Sequence, residues 1–122
     1  MIPRTDQHRD FRQRQRLERL IELYLRHCYR ERTAARVAEL ARFMGLDPST
    51  LTRTVKRYLG VPPRAALRDR KIAEASRLLR ETRLPVENIA LRVGFGTRAT
   101  FFRAFARATG VTPAAFRNKV KK

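Results

Sequence analysis

The residues in this chain best suited to chemistry cluster between Asp47 and Leu59. Ser49, Thr52, Arg53 and Lys56 fall at i, i+3, i+4 and i+7, one face of a helix whose other face would hold Leu51 and Val55. An arginine fork at position 53 matches O6 and N7 of a guanine, while Ser49, Thr50 and Thr52 offer hydroxyls to base edges or a methyl group to thymine. Lys56 and Arg57, further along, suit phosphate oxygens. In a second segment, 98–109, the matching stripe is Ala99, Phe102, Arg103 and Ala106, with Arg98 near the helix start and Arg107 as a phosphate ligand. Arg98 and Arg103 suit bases or phosphates. Phe102, beside Phe101, has two readings: an exposed aromatic against thymine methyls, or an extra core residue. Poor hydrogen-bonding capacity marks this second face as an anchor more than a reader.

Charge supports a polyanionic partner. Lys and Arg total 29 against 11 Asp and Glu in 122 residues, a net charge of +18. Such an excess repels itself in a compact fold and is relieved by a nucleic acid. After Glu87 no acidic residue occurs, while Arg92, Arg98, Arg103, Arg107, Arg117, Lys119, Lys121 and Lys122 follow. Hydrophobic residues make up 43% of the chain, enough for a folded core.

Other chemistries find little footing. His8 and His27 have no cluster of Cys or carboxylates around them, and there is no glycine-rich phosphate loop or Ser/His/Asp arrangement, so no enzyme, cofactor or metal site is expected. The single Cys28 excludes an internal disulfide, fits a reducing cytoplasm and falls among apolar helical positions, where a buried thiol is expected. No apolar run approaches the roughly 20 residues of a membrane span, and the amino terminus lacks a signal-peptide core.

The elements that must position these side chains are all helical, about seven in number. The first runs from Phe11 or Leu17 to Cys28, with Leu17, Leu20, Ile21, Tyr24, Leu25 and Cys28 on one stripe. The second covers about 37–44 and ends at Gly45, with Leu46 plugging the turn. Asp47 caps the third and Pro48 fits its first position; it runs to Leu59 and stops at Gly60. The fourth spans about 63–81 and the fifth about 86–93, stopped by Gly94. Thr97 caps the sixth, 98–109, which Gly110 ends. Pro113 starts a short last helix to about Val120.

The chain repeats itself. Val37-x-x-Leu40-Ala41-x-x-Met44-Gly45-Leu46 matches Val86-x-x-Ile89-Ala90-x-x-Val93-Gly94-Phe95 at an offset of 49 (86 − 37). Leu51-x-Arg53-x-Val55 matches Phe101-x-Arg103-x-Phe105, and Gly60-Val61-x-Pro63 matches Gly110-Val111-x-Pro113, at an offset of 50 (101 − 51). A one-residue slip therefore lies in the turn or in the first turn of the following helix. Each copy reads as helix, glycine turn, helix, the pattern in which the second helix enters a major groove.

These residues resemble the DNA-binding domain of the AraC/XylS family of bacterial transcription regulators. The likeness covers about Leu17 to Val120 and is most specific in Val86-x-x-Ile89-Ala90-x-x-Val93-Gly94-Phe95, Phe101-x-Arg103-x-Phe105 and Gly110-Val111-Thr112-Pro113-x-x-Phe116-Arg117. Val55 stands where the family usually has Phe, Asp47-Pro48 replaces a Ser-led start, and Phe116 replaces a usual Tyr, so base preferences do not transfer. Before the likeness begins, residues 1–16 form a basic segment with Arg9, Arg12, Arg14 and Arg16, expected to be partly disordered. The resemblance implies a first helix-turn-helix subdomain at 17–62, a linker helix at 63–82 and a second subdomain at 83–120. It also implies recognition helices at about 48–59 and 98–109 in successive major-groove segments, about 34 Å apart. RNA polymerase is then the expected protein partner, since family members usually activate transcription by contacting it. Many carry a separate sensing and dimerisation domain that these residues do not include, leaving either a stand-alone monomeric regulator or a piece of a longer one. The alternative is a helical interaction module of the transcription machinery without specific DNA binding, which requires apolar patches on the third and sixth helices.

Overall fold

In a computed structural model, which describes residues 4–120, the chain folds into seven helices among the described residues, with no strand. They are α1 (Arg4–Glu31), α2 (Val37–Phe43), α3 (Pro48–Leu59), α4 (Pro63–Glu81), α5 (Val86–Arg92), α6 (Arg98–Thr109) and α7 (Pro113–Val120). The chain divides into two compact units: one holds α1 through His27 and Ala35–Leu67, the other Cys28–Ala34 and the chain from Arg68 onward.

The helix period places most of each core, although Leu20, at the margin of the first stripe, is only half-buried. In the first unit Leu17, Ile21, Tyr24 and Leu25 of α1 are buried, as are Leu40 and Ala41 of α2 and Leu51 and Val55 of α3. Tyr24 is buried with its polar end satisfied: its hydroxyl accepts the Arg36 N–H at 2.9 Å and donates to a Glu39 carboxylate oxygen at 3.2 Å. Thus the aromatic ring fills the core while its oxygen ties down the entry to α2. In the second unit Ile72, Ala75, Leu78 and Leu79 of α4 join Ile89, Ala90 and Val93 with Phe101 and Phe105 in one cluster. Phe101 and Phe105 lie 5.7 Å apart, and Phe116 of α7 meets Phe105 edge-on at 5.4 Å. Cys28 is buried, as its place on the apolar stripe predicts.

Helix α1 starts earlier than the apolar period indicates, at Arg4 and not at Phe11 or Leu17. Residues 7–16 are all exposed, so no apolar stripe marks them. Arg and Gln have good helix propensity, and an Arg14–Glu18 pair at 3.1 Å, one turn apart, adds support.

Both helix–turn–helix units are built by the same local device. Gly45 and Gly94 adopt left-handed φ values of 71° and 77°, which a side chain resists and glycine does not. The next N–H groups reach back five residues, Leu46 to the Ala41 carbonyl at 2.9 Å and Phe95 to the Ala90 carbonyl at 3.1 Å. This is the Schellman closure, with its apolar residue placed directly after the glycine. The caps of the following helices also correspond: Asp47 accepts the Thr50 N–H at 3.0 Å, and Thr97 accepts the Thr100 N–H at 3.1 Å. Equivalence of Gly45 with Gly94, and of Asp47 with Thr97, locates the one-residue slip in the turn. Gly96, left-handed at φ 80°, is the extra residue.

Two expectations follow. Phe105→Ala removes a fully buried ring from the centre of the second cluster and should cost about 3–5 kcal/mol, read as a lower urea midpoint for the unfolding of that unit. The Asp47 carboxylate is held below its ordinary value of 3.8, first by the Thr50 N–H and then by the Thr50 hydroxyl. A lowered folded-state value gives stability that is complete above 3.8 and is lost as pH falls through that lower value. Asp47→Asn keeps a cap acceptor that does not titrate. Its Tm should lie below that of the parent at neutral pH, and the gap should close as pH falls below 3.8 through the lowered folded-state value; a gap that persists in acid would remove the carboxylate from this role.

Candidate nucleic-acid interface

Helix α3 buries Leu51 and Val55 and turns Ser49, Arg53, Lys56 and Arg57 outward, all exposed, with Thr52 half-buried at the margin. The hydroxyls are less available than their spacing indicates. Thr50 donates its N–H and its hydroxyl to the two carboxylate oxygens of Asp47, at 3.0 and 2.7 Å, and accepts Arg53 Nη2 at 3.3 Å. Thr52 donates back to the Pro48 carbonyl at 3.0 Å. Each hydroxyl has one proton, so towards a ligand Thr50 and Thr52 act as acceptors or through their methyl groups. Among the expected base contacts of α3, Ser49 and Arg53 remain the exposed donors. Arg57 stacks 5.3 Å over the Tyr58 ring, which orients its guanidinium without neutralising it.

On α6, Ala99, Arg103 and Arg107 are exposed, while Arg98 is held from two sides. It pairs with Glu87 of α5 at 3.0 Å and lies 4.8 Å over the Phe102 ring. Phe102 itself is half-buried: it packs against the core cluster and meets Phe101 edge-on at 6.0 Å. The packing favours the core reading in part, and the rest of the ring supports Arg98. The structure brings Arg98 and Phe102 together; Arg103 and Arg107 sit one turn apart along the outer side of α6.

Two cations have structural work: Arg117, which charge counting groups with the basic stretch after Glu87, and Lys71, which the sequence reading leaves unassigned. Arg117 of α7 donates to the Leu79 and Thr82 carbonyls at 3.2 and 3.3 Å, satisfying the end of α4, where intrahelical donors run out. Lys71 of α4 donates to the Gly94 carbonyl at 3.2 Å and lies 5.3 Å over the Phe95 ring, so it clamps the turn of the second unit. Burial pushes its ammonium down from the usual lysine value, partly opposed by the nearby Cys28. The sequence signal for both was weak: each lies beside an apolar core position (Ile72, Phe116) and not on the outward stripe. Among the described residues no group of His, Cys, Asp and Glu is placed to hold a metal ion, and no helix is long and apolar enough to cross a membrane.

This arrangement can present two rows of cations and short polar groups to a ligand with regularly spaced negative charge. A family model described as a helix-turn-helix domain matches residues 40–119. The chain is 33% identical over 81 residues to the arabinose operon regulatory protein of Escherichia coli, covering 66% of this chain and 28% of that protein. It is 33% identical over 82 residues to the probable transcription factor PqrA of Proteus vulgaris, covering 67% of each. Among solved structures, the DNA-binding domain of the global transcriptional factor AdpA, in complex with a target DNA, superposes with a TM-score of 0.75 at 25% identity, over 84% of this chain and 90% of that one. The chain spans less than a third of the length of the arabinose regulator it matches. Duplicated turns, matching caps and these likenesses agree: the chain belongs to the AraC/XylS family of helix-turn-helix proteins.

Proposed function

We propose that this chain binds double-stranded DNA with sequence specificity and regulates transcription, with α3 and α6 as its recognition helices in the major groove. The observation that carries this reading is the duplicated helix–turn–helix in which each second helix buries one face and exposes a basic one. The related domain solved with its target DNA supports the choice of a duplex as ligand. A helical interaction module would instead need an apolar outer face on α3, where Ser49, Arg53, Lys56 and Arg57 stand exposed.

Within this reading, Arg53 forks onto a guanine, with Ser49, Thr50 and Thr52 at neighbouring base edges, and Lys56 and Arg57 hold phosphates. On α6, Arg98, Ala99, Phe102 and Arg103 face the groove and Arg107 a phosphate. Because Arg98 is already engaged with Glu87, a base or phosphate must compete for it, which fits a helix that anchors more than it discriminates. The chain acts by binding and not by turnover, in the cytoplasm and away from membranes. As a monomer it docks to RNA polymerase at the promoter, with any dimerisation supplied by a further domain.

Affinity for duplex DNA, followed by fluorescence anisotropy, should fall steeply with salt, log K declining linearly with log salt by about 0.9 per phosphate neutralised. A flat response would favour the interaction module. Arg53→Ala should lower the ratio of specific to non-specific affinity by about 5- to 150-fold, the equivalent of about 1–3 kcal/mol for a bidentate base contact. Equal weakening on all sequences would make Arg53 a phosphate ligand.

A further inference from the structure

A cleft of about 330 Å³ opens in the second unit between the early turns of α4 and the outer side of α6. Arg68 and Asp69 form one wall; Thr100, Arg103 and Arg107 form the other, with the small Ala104 between them. The resemblance makes α4 a linker, with no ligand assigned to it from sequence. We propose that Arg68 and Arg107, one from each wall, clamp a backbone phosphate of the bound duplex, so that α4 is part of the interface. This rests on the DNA-binding reading of α6.

Charge carries the assignment. Three guanidinium groups line the cleft with a single carboxylate, leaving it net positive. Arg68 and Asp69 approach only to 3.6 Å, with side chains 48% and 57% exposed, so the acid barely neutralises its neighbour. Among the described residues Arg103 and Arg107 form no ion pair. Guanidinium groups facing a shared cleft repel one another, and an anion between them turns that repulsion into attraction. The guanidinium fork matches the oxygens of a phosphate, and an alanine in the wall leaves space for the anion to enter. Phosphate contacts of this kind fix register and orientation without reading sequence, which is the anchoring role that α6 chemistry suggests. Arg103 stays directed to base edges while Arg68 takes the second half of the clamp. A free phosphate would satisfy the same groups, so the test separates the two sources.

The measurement is the salt dependence of duplex binding for the parent chain, Arg68→Gln, Asp69→Asn and the charge-matched control Arg80→Gln. Arg80 is an exposed residue of α4 twelve positions beyond Arg68, and circular dichroism melts check that each variant folds. Arg68→Gln should reduce the slope of log K against log salt by about 0.9 and weaken specific and non-specific duplexes alike. Asp69→Asn should tighten binding, and Arg80→Gln should leave the slope unchanged. A scan of single methylphosphonates along the duplex should find one position whose neutralisation weakens the parent but not Arg68→Gln. An unchanged slope for Arg68→Gln, in a parent that binds duplex, overturns the clamp alone. So does an Arg68 guanidinium NMR signal that shifts with inorganic phosphate in a protein whose duplex affinity ignores Arg68. A parent chain that binds no duplex at low salt overturns the functional reading and the clamp with it.

Discussion

At Gly45 and Gly94 the backbone swings into the left-handed region, and the five-residue closure behind each glycine sets the angle at which the next helix departs. A residue with a side chain would resist that conformation, and the apolar residue that follows would lose the geometry that carries it inward. Burial of Leu51 and Val55 on α3, and of Phe101 and Phe105 on α6, depends on that departure angle. So does the outward direction of Arg53 and Arg103. One backbone constraint thus decides both which face of each helix is dry and which is offered to a ligand.

The fold was legible because its signals are local. Glycines stop α2, α3 and α6 where the sequence has them, Asp47 and Thr97 cap as their side chains allow, and the 3.6-residue period identifies the buried stripe of every core helix. The amino-terminal half of α1 was not legible, because an exposed helix of Arg and Gln has no apolar period to betray it. The slip between the copies was narrowed to a few residues by sequence. Only the matching caps assign it to Gly96.

The site was legible as a set of residue types but not as a set of available atoms. Spacing puts Thr50 and Thr52 beside Arg53, yet says nothing of the protons they spend on Asp47 and on the Pro48 carbonyl. Charge counting groups Arg117 with the polyanion face, yet its donors close the end of α4 from 35 or more residues away in sequence. Long-range partners of this kind leave no trace in local pattern. Phe102 resisted a single reading for a better reason: the side chain is at once partly buried and under a guanidinium.

The two caps, alike in geometry, differ in charge. Asp47 stabilises the amino end of α3 by placing an anion against the helix dipole, whereas Thr97 does the same for α6 with a neutral hydroxyl. At its cap, α3 therefore carries a fixed negative group that the cap of α6 lacks, while the carboxylate at the start of α6 is Glu87 of α5, paired with Arg98. In the first copy the negative charge belongs to the cap itself and is held by the Thr50 N–H and hydroxyl, whereas in the second it is held by an arginine that a ligand can draw away.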